Sequence, residues 1–152
     1  MKISIGSDHA AFKYKEEIIN FLKEENHSIL DMGIYEEIPV KGYAVAEKVA
    51  LSVLKGESQR GILICGTGIG MSISANKIPG IRAALCHNMY TVEMSRLHND
   101  SNILAFGSRV VELELAKAMA IKWLTTEFEG GRHIPRNEYM MLLDKKYRCS
   151  ET

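Results

Sequence analysis

Gly61-Ile-Leu-Ile-Cys65 offers no polar face: with Leu63 and Cys65 on one side and Ile62 and Ile64 on the other, a strand here is apolar both ways. Such a strand must be covered on both sides, a condition met by a parallel sheet lying between two layers of helices. Gly66-Thr-Gly-Ile-Gly70 follows at once, ending the strand in a turn that opens a short helix.

The other segments supply the layers that covering requires. Lys2-Ile-Ser-Ile-Gly-Ser7 alternates as a strand into Asp8-His9, after which Tyr14, Ile18, Phe21 and Leu22 recur at helical spacing as far as Asn26. Ser28 to Met32 gives a second strand, followed by a stretch from Gly33 to Gly42 without a clear period. Ala46, Val49, Ala50, Val53 and Leu54 mark one buried helix face, closed by Lys55-Gly56. Beyond the glycine turn the short helix stops at Pro79-Gly80, and Ile81 to Cys86 forms the fourth strand. Asn88 caps a helix running to about His98, and Ile103 to Phe106 is the fifth strand, ending at Gly107-Ser-Arg109. Leu113, Ala116, Met119, Ala120, Trp123 and Leu124 predict a long amphipathic helix to about Thr126. After Glu129-Gly-Gly-Arg-His-Ile-Pro-Arg136 comes a tail helix with Tyr139, Leu142 and Leu143 on one side. The expectation is an α/β protein: a three-layer, Rossmann-like fold with a five-stranded parallel sheet, right-handed crossovers and an extra C-terminal helix. Residues 1–152 form one domain, whose tail, residues 130–152, needs a surface to pack on.

Nineteen basic and nineteen acidic residues leave no net charge, and no block of like charge suggests a nucleic-acid or polybasic membrane footprint. No apolar run approaches a membrane span and no signal core follows Met1, so the chain reads as cytoplasmic. The three cysteines, 65, 86 and 149, lack paired spacing, and the five histidines add no HxH or HxxxH pattern. No metal and no cofactor are expected; the partner is a small molecule.

In a parallel sheet, ligands sit beyond the carboxyl ends of the strands. That rule collects Asp8, His9, Cys65 and the glycine turn, together with His98 and Arg109, onto one rim. Three alternating glycines let the amides of Gly66, Thr67, Gly68, Ile69 and Gly70 face one concavity at a helix start, an anion hole. The spacing is not that of a dinucleotide fingerprint, and no Gly-Lys-Ser or Gly-Lys-Thr follows as a triphosphate loop would need. Cys65 faces these amides, a setting for a base or a nucleophile; a buried small hydrophobe is the competing role, and it is the one assigned to Cys86. His98 and Asn99 also allow a nucleophilic cysteine–histidine arrangement. Arg109, Arg132 and Arg136 are candidate phosphate ligands, the last two sharing a face if their segment is helical. The Gly130-Gly131 bend and the tail helix together predict a dimer in which the tail of one chain reaches the partner's site.

With those residues assembled, the chain resembles the type B ribose-5-phosphate isomerases, part of a family that includes galactose-6-phosphate isomerase subunits and allose-6-phosphate isomerases. The resemblance spans nearly the whole chain. It rests on Gly6-Ser-Asp-His9, Gly61 through Ser72, Gly80-Ile-Arg-Ala83, His98-Asn-Asp100, Gly107-Ser-Arg-Val-Val111, and Glu129-Gly-Gly-Arg-His133 with Arg136. It implies metal-free aldose–ketose isomerisation of a sugar phosphate through a cis-enediolate, by a homodimer or a dimer of dimers. Carried over by position, Cys65 is the proton-transferring base and the amides of Gly66 to Gly70, including Gly68 and Ile69, hold the enediolate oxygens. His98 is the donor that opens the furanose ring, with Thr67 and Asp8 nearby and Asn99 on a hydroxyl. His9, Arg109, Arg132 and Arg136 bind the phosphate. Where the family carries an Asp-Tyr-Pro-Asp-Tyr-like stretch, this chain reads Val40-Lys-Gly-Tyr-Ala-Val45, a change that bears on five- against six-carbon substrates and on what replaces the family's tyrosine. Ribose 5-phosphate to ribulose 5-phosphate is the expected reaction. The alternatives are a six-carbon aldose phosphate (allose or galactose 6-phosphate) and a silent sugar-phosphate-binding regulator.

Overall fold

The computed structural model describes residues 1–33 and 43–148; the aperiodic loop after Gly33, the first half of the altered family stretch (Val40 to Gly42) and Cys149 lie outside the described residues. In chain order the elements are β1 (Lys2–Ser7), α1 (Phe12–Glu24), β2 (Ser28–Asp31), α2 (Tyr43–Leu54), β3 (Arg60–Cys65) and α3 (Ile69–Ala75). They continue with β4 (Ala83–Leu85), α4 (Met89–Leu97), β5 (Ile103–Gly107), α5 (Leu113–Thr125) and α6 (Ile134–Arg148), with 3-10 turns at His9–Ala11 and Gly131–His133. All strand pairs are parallel, in the order β2-β1-β3-β5-β4. This is the five-stranded, Rossmann-like α/β fold expected, with an added C-terminal helix.

Strand alternation decides which layer each side chain joins. Ile62, Ile64, Leu104 and Phe106 point to the face covered by α1, α4 and α5, where they meet Ile18, Leu22, Val92 and Trp123. Leu63, Cys65, Ile103 and Ala105 point the other way, against Val49, Met71 and Ala75 of α2 and α3. Each fully buried aliphatic or aromatic side chain contributes roughly 1.5–3 kcal/mol, and both apolar faces of β3 are used. Among the described residues no helix is long and apolar enough to cross a membrane.

The order of the strands reverses between β1 and β3, because α1 leaves β1 on one face of the sheet and α3 leaves β3 on the other. A crevice opens beyond the carboxyl ends of these two strands, the usual ligand position in such sheets. The edge strand β4 is shorter than predicted, because Arg82 is engaged at its backbone by Asn102: its amide donates to Asn102 Oδ1 at 2.8 Å, and its carbonyl accepts from the Asn102 amide at 3.1 Å. Cys86 therefore follows the strand instead of lying inside it, yet it is buried as expected, and burial pushes its thiol up.

Polar contacts fasten the outer layers. Lys15 is fully buried on α1 and donates to both carboxylate oxygens of Asp31 at 2.7 Å, joining α1 to the end of β2. Arg60 donates to the carbonyls of Trp123 and Leu124 at 2.6 and 3.0 Å, placing a cation on the C-terminal end of α5. The Tyr14 hydroxyl donates to Val111 O at 2.7 Å, tying α1 to the turn after β5. Burial, reinforced by Glu112, pushes the Tyr14 phenol up to about 12. A raised acid in the fold stabilises below its unfolded value of about 10, and that stability is lost as pH climbs from there towards the folded value. Tyr14→Phe should cost about 1 kcal/mol near neutrality and flatten the alkaline decline, measured by urea unfolding at neutral and alkaline pH.

Candidate active site

The site begins where β3 ends. Cys65 is 8% exposed, and its sulfur accepts a hydrogen bond from the Gly68 amide at 3.0 Å. Gly68 has a left-handed φ of +80°, and a β-carbon there would lie 2.7 Å from the Phe106 carbonyl carbon. Only glycine lets the turn close this tightly over β5. Of the five amides expected to form one hole, that of Gly68 is committed to the thiol and that of Ile69 to Thr67 Oγ1 at 3.3 Å. The first-turn amides of α3 have no partner within the helix, so those of Gly70 and Met71 remain the donors that can face a ligand.

Around this turn stand several predicted residues. The Asp8 amide donates to Ile64 O at 3.1 Å, joining β1 to β3, and its carboxylate caps the His9–Ala11 turn through the Ala11 amide. His9, the first residue of that turn, is exposed. The Arg109 amide donates to Gly66 O at 3.0 Å, and its guanidinium lies 3.5 Å from where a Gly66 β-carbon would be. Thr67 is exposed at the tip. Two further residues belong here. Tyr43, at the start of α2, sets its ring over Gly70, with Cε1 2.7 Å from a β-carbon built there. His87, just past β4, holds Thr67 O at 3.3 Å through Nε2; its position after a strand end was the available signal.

His98, expected on the same rim, is not there. It caps the C-terminus of α4, which starts just after β4 and runs back across the sheet for about 13 Å, nine residues at 1.5 Å each. Its neighbours sit by the amino ends of β4 and β5, as the Asn102 and Arg82 contacts show. Asn99 lies beside it, exposed. α5 returns to the same edge, where the Glu129 amide donates to Leu97 O at 3.1 Å. Gly130 and Gly131, both at positive φ, fold the chain back so that the rings of His133 and His98 stack at 4.2 Å and 12°. Arg132 lies in the 3-10 turn and Arg136 in α6, both exposed, so they belong to this edge and not to the one holding Arg109. The bend thus returns the tail to its own chain, where Asp144 accepts from the Gly80 amide at 2.8 Å.

Asp100 anchors this second cluster. Its carboxylate meets Arg82 at 3.0 Å and Arg96 at 2.8 Å, and its carbonyl accepts twice more from Arg82. His133 is held below the usual histidine range, by burial first and then by His98 and Arg132. Glu129 Oε2 lies 3.4 Å from His133 Nε2 and 3.8 Å from His98 Nε2. Ligand-capable atoms of His98, Glu129 and His133 thus fall within 4.8 Å of one another. Arg132 Nε also approaches His133 Nε2, at 3.3 Å, which sets a cation beside the nitrogen a metal would need. Two open cavities, of 440 and 570 Å³, flank Arg82 beneath α6, and of the predicted residues only Asn99 lines one of them.

A thiol held against a loop amide at the switch point of a parallel α/β sheet, with arginine and histidine on the rim, is a setting suited to a small anionic ligand. Residues 3–140 match the family described as Ribose/Galactose Isomerase, and the chain belongs to that family of isomerases. It is 47% identical over 145 residues to "Ribose-5-phosphate isomerase B" of Escherichia coli, covering 95% of this chain and 97% of that protein. It is 43% identical to "D-erythrulose-4-phosphate isomerase" of Pectobacterium atrosepticum, covering 91% of each. The solved ribose-5-phosphate isomerase B of Clostridium thermocellum superposes with a TM-score of 0.95 at 51% identity, over 97% of this chain and 99% of that one. The protein is a sugar-phosphate isomerase.

Gly68→Ala should drive its methyl into the Phe106 backbone and impose a left-handed φ on an L-residue. The expected cost is about 2–4 kcal/mol in denaturant unfolding, with loss of the close turn that brings the Gly68 amide to the Cys65 sulfur.

Proposed function

We propose that the protein interconverts D-ribose 5-phosphate and D-ribulose 5-phosphate through a cis-enediolate, with Cys65 as the base. The observation that carries the reading is the Cys65 sulfur, buried at a strand end and only 3.0 Å from a loop amide. In this reading the thiolate takes the C2 proton of the open-chain aldose, the electron pair moves onto the C1 oxygen, and the proton returns at C1. The hydroxyl proton of O2 passes to O1, so the ketose forms with nothing gained or lost. Free amides of the turn hold the enediolate oxygens, each such donor being worth roughly a hundredfold or more. His98 opens the furanose ring, Asn99 takes a hydroxyl with Thr67 and Asp8 at hand, and His9, Arg109, Arg132 and Arg136 bind the phosphate. No metal or cofactor enters the scheme.

Because Cys65 and His98 lie at opposite edges of one sheet, this chemistry requires two chains. The reading is a homodimer, or a dimer of dimers, in which the His98 edge and tail of one protomer close over the Cys65 rim of its partner. Exposed apolar residues support such an interface: Ile69 and Ile73 on α3, and Tyr139, Leu142 and Leu143 on α6. The five-carbon substrate is favoured by the names of the relatives at 47% and 51% identity. The relative named for D-erythrulose 4-phosphate supports a four-carbon second reading; turnover of four-, five- and six-carbon phosphates by the purified protein decides among them.

Cys65→Ala should abolish turnover and solvent-proton exchange while leaving sugar-phosphate binding within about threefold; retained exchange would remove Cys65 as the base. Mixing inactive Cys65→Ala with inactive His98→Asn provides the test of a shared site. Reassorted dimers carry one site with both residues intact and should recover about a quarter of wild-type activity. No recovery after proven subunit exchange sinks the two-chain arrangement.

A further inference from the structure

We infer that His133 is a positioning residue for His98, a flat shelf that holds the His98 imidazole in the plane from which it opens the furanose ring. The inference rests on the reading of His98 given above. It concerns a residue in the second half of Glu129-Gly-Gly-Arg-His133 that neither touches the Cys65 rim nor serves as a phosphate arginine.

The geometry is that of a shelf. The two rings are nearly parallel, 12° apart with centroids at 4.2 Å, and the lower one, His133, is 3% exposed while the His98 side chain is one-third exposed. One side chain locks both backbones: Asn137 Nδ2 donates to His98 O at 2.8 Å and to His133 O at 3.0 Å. The glycine pair at positive φ brings His133 back to this place, and the Glu129 amide docks the segment on the end of α4. The groups facing His133 are His98 from α4, Glu129 from the preceding segment, Arg132 within its own turn and Arg136 from α6. Burial and three of these four disfavour a positive charge on His133. Two imidazoliums face to face would repel, whereas a stack that carries at most one charge does not. The shelf therefore acts through its flatness, and another flat ring should replace it.

Ring opening can be read apart from proton transfer. Ribose 5-phosphate is largely a closed furanose, whereas ribulose 5-phosphate, with its C5 oxygen phosphorylated, cannot close a five-membered ring. Net turnover of ribose 5-phosphate therefore needs the His98 step, and deuterium uptake from solvent at C1 of ribulose 5-phosphate does not. In the full-length protein His133→Ala should lower net turnover about tenfold or more while exchange stays within about twofold of wild type. His133→Phe should recover most of the turnover. Should His133→Ala fail to fold, Asn137→Ala carries the same pair of measurements, with turnover lowered and exchange spared. Unchanged turnover, a parallel loss of exchange, or a His133→Phe no better than His133→Ala overturns the shelf. His98→Asn, run beside them, separates the two claims. If it spares turnover or abolishes exchange, the His98 reading falls and the shelf with it. If it behaves as expected and the His133 variants do not, only the shelf falls.

Discussion

The thiol depends on one contact between backbones. At the end of β5, a β-carbon on Gly107 would come within 2.6 Å of Thr67 Cα, and one on Gly68 within 2.7 Å of the Phe106 carbonyl carbon. Two loops that would otherwise be held apart by side chains are thereby pressed together. The β3–β5 ladder then runs on past the sheet, with the Ser108 amide donating to Cys65 O at 2.8 Å and the Arg109 amide to Gly66 O at 3.0 Å. The same ladder that fixes the thiol also delivers the Arg109 guanidinium to Gly66, so thiol and positive charge share one rigid frame. Their relative position is a property of the sheet, not of a flexible loop.

Topology imposes the complementary limit. Junctions from strand to helix gather at the carboxyl edge, and junctions from helix to strand gather at the other. α4 and α5 both end at that second edge, which is why His98 meets Glu129 and His133 there. No adjustment of side chains within one protomer spans the length of α4 to bring His98 beside Cys65. If the two residues serve one substrate, the oligomer is part of the mechanism, and the exposed apolar face of α6 has a physical purpose.

Most of the fold was legible because its signals are local. Two-sided apolar strands, helical periodicity and the Asn88 cap, whose Oδ1 accepts from the Thr91 amide at 2.9 Å, all act over a few residues. The glycine turn and Cys65 were legible for the same reason. What could not be seen was placement. His98 is a conspicuous residue, but which edge it occupies follows from where α4 begins and how far it runs. The grouping of His98 with Glu129 and His133 depends on a segment some thirty residues away returning to the same corner, so no ligand-like spacing betrayed it. The strand pattern from Ile81 to Cys86 is longer than β4, because Ile81 and Arg82 are strand-like residues while the Arg82 backbone pairs with Asn102. His87, a lone histidine after a short apolar run, carries no spacing signal, and its contact with Thr67 O arises only in the fold.

The Cys65 rim and the His98 edge are held by opposite means, and their motifs reflect it. Cys65 can be fixed by burial, since a sulfur with one face at a crevice still reaches a substrate; its surroundings are accordingly aliphatic side chains and glycines. The His98 side chain stays one-third exposed, so burial does not hold it. It is braced by polar neighbours instead: Asn137 on its carbonyl, the His133 ring beneath it, and two residues on, Asp100 gripped between Arg82 and Arg96 at a strained φ of +46°. An aspartate tolerates that conformation better than most residues, and here four polar contacts hold it. Charged and amide side chains around the part-exposed His98 are thus scaffold, doing at this edge what the packed sheet does at the other.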